Sequence, residues 1–111
     1  MDPQENRTDR VTRVAKEMGA AIRKQARTKW KQVSTAERNE QGRHVWRFRS
    51  GPDQDERFLH IEHRTMVQGR NPAARLLKQL ESQQWADRLE EDPSSALLLA
   101  RNGQLVAVHD R

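Results

Sequence analysis

The densest chemistry in the sequence is cationic. Between Arg7 and Lys31, nine lysines and arginines stand against two acids, Asp9 and Glu17, a local charge of +7. The remaining residues carry 12 lysines and arginines against 14 acids, so this stretch accounts for the whole net charge of +5. Arg13, Lys16, Arg23, Lys24, Arg27 and Lys31 recur at helical spacing on one side. A row of ammonium and guanidinium groups on a regular element neutralises phosphates and releases their counterions, an affinity indifferent to base sequence. Arg47, Arg49 and Arg64, on the open face of the hairpin that follows, extend the row if the two surfaces adjoin. Trp30, at the end of the helix, is placed to stack on a base. The competing reading is a solvated helix face, with Trp30 packed in the core. The candidate nucleic-acid-binding residues are thus Arg13, Lys16, Arg23, Lys24, Arg27, Lys31, Arg47 and Arg49, with DNA and RNA both open as the partner.

His60-Ile61-Glu62-His63 has the outline of a metal motif. The helical zinc motif needs two histidines one turn apart, so that both face one ion. Here the alternation marks a strand, which sends His60 and His63 to opposite faces. His44 and His63 can meet across two strands, and a third ligand would have to come from His109 or Glu40. No metal and no cofactor is expected. The sequence has no cysteine nucleophile, no Gly-rich phosphate loop and no serine in a nucleophile elbow. Its acids fall mostly in turns or at the end of the second helix, at Glu90, Glu91 and Asp92. A non-enzymatic binding module is the expectation.

The elements that carry these groups are legible as patterns. A capping Thr8 or Asp9 opens a basic helix over 8–33, whose inner side is Val11, Val14, Ala15, Met18, Ile22 and Ala26. Gly19 interrupts it at some cost. Residues 34–42 are polar and unpatterned, a loop. Residues 43–67 alternate as a hairpin. With Asp53-Gln54 at its tip, Phe48 faces Leu59, Trp46 faces Ile61 and His44 faces His63, while Val45, Arg47, Arg49, Phe58, His60, Glu62 and Arg64 share the other face. Asn71 as N-cap and Pro72 as first helical residue open a second helix over 72–91, stopped by Pro93. Its buried residues are Ala73, Leu76, Leu77 and Leu80; Trp85 and Leu89 continue them with an offset, so the face is wide or the helix bends. A second hairpin over 96–109 turns at Asn102-Gly103, placing Leu99 opposite Val106 and Leu97 opposite Val108. Both of its faces are apolar, so it needs cover on both sides, or on one side plus a partner.

The predicted fold class is α+β: helix, hairpin, helix, hairpin, forming a four-stranded antiparallel sheet with two helices. The first helix either covers the far face of the second hairpin or packs beside the second helix. A chain of 111 residues is one domain, here 8–111 after a disordered 1–7. Without cysteine there is no disulfide or thiolate site, and no apolar run is long enough to span a bilayer or to form a signal-peptide core. A cytoplasmic protein without membrane partners follows. The first helix also lacks the bulky apolar residues of a membrane-surface helix. Leu, Ile, Val and Phe total only 20 of 111 residues, a thin core that a second subunit could complete. Two function classes follow: a nucleic-acid-binding module, or a protein-interaction module acting as a homodimer or as an accessory subunit of an acidic partner.

Overall fold

The apolar side of the first helix sets the layering. The computed structural model describes residues 7–27, 29–30, 32–33, 37–38, 42–49, 56–92, 94 and 96–108. Helix α1 spans Arg7–Ala26, and Val11, Val14, Ala15, Met18, Ile22 and Ala26 are all buried. The helix stops before residue 33, its expected end. Lys29 and Trp30 both donate their backbone N–H to the Ala26 carbonyl, turning the chain inward. At about 100° per residue, a continued helix would carry Trp30 off the apolar side. The turn instead buries it against Phe48 and Trp85, with ring centroids 5.2 and 6.3 Å away.

The short strands β1 (Gln32–Val33) and β2 (Glu37–Arg38) both pair with β3 (Arg43–Arg49), so the last two residues of the expected helix, and part of the stretch read as loop, join the sheet instead. β3 and β4 (Arg57–Glu62) form the expected hairpin in a different register. Trp46 lies opposite Leu59, His44 opposite Ile61 and Phe48 opposite Arg57, two residues from the expected pairing. A shift of two keeps every side chain on its face, because strand side chains alternate with period two. Trp46, Phe48, Leu59 and Ile61 therefore still share the buried face. The expected tip, Asp53-Gln54, lies outside the described residues. His63 leaves the strand and opens α2 (His63–Met66), yet its N–H still bonds the Gly42 carbonyl at 3.0 Å.

The expected helix over 72–91 is two helices, α3 (Pro72–Ser82) and α4 (Trp85–Glu91). Asn71 Oδ1 caps α3 by accepting the Ala74 N–H. The break falls at Gln84, held at φ 52°. On one continuous helix Trp85 would sit about 140° around from Leu80. The left-handed residue removes that offset, and Trp85 and Leu89 join Leu76 and Leu80 in the core. Arg57 donates to the Leu89 and Asp92 carbonyls, at 3.3 and 2.8 Å, satisfying the C-terminal end of α4.

β5 (Ala96–Leu99) and β6 (Leu105–Ala107) close the sheet, in the order β1-β3-β4-β5-β6 with β2 also on β3. The α+β class holds, but the sheet is mixed, not antiparallel: β4 and β5 are parallel, Phe58 beside Ala96 and Ile61 beside Leu99. The helices between these strands return the chain to the end of the sheet from which β4 started, a crossover that two adjoining hairpins do not anticipate. The last hairpin is also displaced, by one residue. Arg101, Asn102 and Gly103 form a three-residue loop, with Gly103 N–H on the Ala100 carbonyl and Gly103 alone at positive φ. Leu99 consequently faces Leu105, and Leu97 faces Ala107. Leu105 thereby joins the core, while Val106 turns to the other face and is 41 % exposed.

All four helices pack against the Trp46–Phe48 face of the sheet, α1 beside α3. The first helix thus takes the second of its two expected positions. The other face holds a small separate cluster of Ala96, Leu98 and Val108 with Phe58.

Candidate nucleic-acid interface

Burying the apolar side of α1 leaves its opposite side in solvent. Arg13, Lys16, Arg23, Lys24 and Arg27 are exposed there, and Lys31 lies outside the described residues. Two other cations of this helical stretch serve the fold. Arg10 donates to the Gly69 carbonyl at 2.6 Å. Lys29 pairs with Asp87 at 2.8 Å and Glu90 at 3.4 Å, and its hydrogen bond to Asp87 holds its pKa above the ordinary value. Arginines beyond the helix are likewise engaged: Arg75 donates to the Thr65 carbonyl and Arg88 to that of Leu105. Among the described residues, Lys16, Arg23, Lys24 and Arg27 contact no carboxylate, whereas Arg13 has a partner within the chain.

The strand arginines do not join this surface. Arg47 and Arg49 alternate with Trp46 and Phe48 and so project from the opposite face of the sheet. Arg49 is paired with Glu56, and Arg47 has a partner of its own. The sequence pattern gives the faces correctly but not which side of the sheet the helix would cover. Trp30, offered as a stacking platform, is buried between Phe48 and Trp85.

A groove of about 610 Å³ runs between α1 and β3. Thr12, Lys16, Gly19, Ala20 and Arg23 form its helical wall, and His44 and Trp46 its strand wall. Sequence reading passed over Thr12, Gly19, Ala20 and Trp46 as site residues. The available signal was positional, since Thr12, Gly19 and Arg23 lie on the flank between the apolar and cationic sides of the helix. A smaller hollow lies where Trp85 Nε1 donates to Gln25 Oε1 and Gln25 Nε2 to Glu81 Oε1, each at 2.6 Å, a latch holding α1 to α3 and α4.

The histidines divide. His44 and His63 stack with centroids 4.7 Å apart, so they meet despite the changed register. Among the described residues no three His, Cys, Asp or Glu side chains converge as metal ligands; His109 and Glu40 lie outside those residues. His60 sits on the opposite face, 2 % exposed, opposite Val45 and beside Leu98. Neither of its ring nitrogens has a hydrogen-bond partner. Burial, and then the charge of Arg43, lower its pKa to about 4, so the ring is neutral at pH 7.

No described helix is long and apolar enough to cross a membrane. No family model, curated protein or solved structure matches the chain.

Proposed function

We propose that the protein is a small non-enzymatic module that binds nucleic acid through the outward side of α1. One observation carries this reading. Lys16, Arg23, Lys24 and Arg27 stand exposed on one rigid element without a carboxylate partner among the described residues, while Arg57, Arg75 and Arg88 of the body hold backbone carbonyls. A helix presenting fixed cations meets a phosphate backbone without first breaking internal ion pairs. Arg13 adds to this side; Arg47 and Arg49 do not belong to it.

Titration of single- and double-stranded DNA and RNA at several salt concentrations tests the reading. Four phosphate contacts give a slope of log K against log salt of about −3.6 on a duplex and about −2.8 on a single strand. Replacing Lys16, Arg23, Lys24 and Arg27 together by Gln should abolish binding without lowering the melting temperature. No binding at low salt, or unchanged binding by that variant, removes the proposal.

A second reading has its own support. Phe58, Leu98 and Val106 lie on the face of the sheet that no described helix covers. A protein partner or a second copy of the chain would find an apolar surface there. A mass above the monomer in sedimentation, lost on charging Val106, favours this role.

A further inference from the structure

We infer that the groove between α1 and β3 seats one unpaired nucleotide of a single strand, its phosphate held by Lys16 and Arg23. This rests on the nucleic-acid reading and narrows it from any phosphate backbone to single-stranded partners. Lys16 and Arg23 are seven residues apart, so they rise from the same flank about 10 Å from one another. Between them lie only Gly19 and Ala20, and across from them the edge of Trp46 and the ring of His44. Two cations thus bracket a recess with a mostly apolar wall, in the size range that takes a small organic ligand.

Gly19 points the same way. Glycine inside a helix weakens it relative to alanine. No clash requires it, because a Cβ at this position would lie 3.9 Å from Trp46 Nε1, an ordinary contact. Its effect is to leave the recess open and the indole N–H uncovered. An indole N–H facing a recess is a free donor, and Trp46 Nε1 donates to no acceptor among the described residues. The ring oxygens and nitrogens of a nucleobase supply acceptors of that kind. In a duplex the bases are stacked and paired, so only an unpaired nucleotide can turn into such a recess.

The test compares a labelled oligothymidylate with a duplex of equal length on the full chain at low salt. Wild type should bind the single strand more tightly by about tenfold, the scale of one base held in a pocket. Gly19→Leu fills the groove and should remove that preference while duplex affinity stays as it was. Gly19→Ala tests the fold: it should melt no lower than wild type and bind the single strand more weakly. Lys24→Gln with Arg27→Gln, outside the groove, should weaken both ligands alike. Equal affinity for the two ligands, or a preference that survives Gly19→Leu, overturns the groove while leaving the basic helix standing. Binding of neither ligand overturns both.

Discussion

The two faces of the sheet are built from the same strands and could hardly be more different. One carries Trp46, Phe48, Leu59, Ile61, Leu97 and Leu99 under four helices. The other carries Arg43, Val45, Arg47, Arg49, Phe58, a neutral His60 and a small cluster around Leu98. Residue-number parity alone separates them. The cations of β3 and those of α1 are thereby divided by the sheet and by a helix about 10 Å thick. They form separate surfaces: on α1, Lys16, Arg23, Lys24 and Arg27 contact no carboxylate among the described residues, whereas on β3 Arg49 is paired with Glu56.

The largest contrast between the faces should be mechanical. Leu59→Ala, on the helix-covered face, should cost about 2–5 kcal/mol in denaturant unfolding. Leu98→Ala, in the small cluster, should cost clearly less, because fewer neighbours surround it and its site can collapse more fully. Equal losses would break the comparison.

Next comes acid. His60 has its pKa depressed in the folded state to about 4, against 6.5 in the unfolded chain. The unfolded state therefore binds the proton first. Stability is full above pH 6.5, falls as pH drops toward 4, and flattens below. The slope is at most about 1.4 kcal/mol per pH unit for this one group. His60→Leu should lose that portion of the pH dependence and be no less stable at pH 7, since it replaces an unsatisfied buried ring. Identical pH profiles for the two proteins would show that the ring is not sheltered on this face.

Gly103 decides which face Val106 occupies. An alanine there must hold a left-handed conformation, and its Cβ would meet Gln79 Nε2 at 2.9 Å. A loss of about 1–2 kcal/mol is expected in thermal or denaturant unfolding. The smallest effect belongs to Val106→Lys, within about 0.5 kcal/mol of wild type by the same measurement. A larger loss would mean that the uncovered face is packed against something after all.

Much of this was legible along the chain, for reasons that differ by element. The β3–β4 pair tolerated an error of two in register because only parity decides burial. The β5–β6 pair did not tolerate an error of one: the Asn-Gly signal located the turn, but a third loop residue moved Val106 outward. The break at Gln84 was foreshadowed by the offset of Trp85, but the end of α1 was not: the expected helix runs on to residue 33, whereas the turn after Ala26 buries Trp30. The parallel pairing of β4 with β5 had no local signature, since it depends on how three helices return the chain. The groove was invisible for a similar reason. Gly19 and Trp46 are distant in sequence and become neighbours only when α1 is laid across β3.

That parallel pairing also shapes the order of assembly. Each flanking hairpin closes over a short stretch of chain, whereas Phe58 meets Ala96 only after a long loop is closed, at an entropic cost that contacts repay only afterwards. The seam at the middle of the sheet is therefore expected to knit last. Lengthening the connection at Gln68–Arg70 with glycines should slow refolding in stopped-flow mixing and leave the unfolding rate nearly as it was.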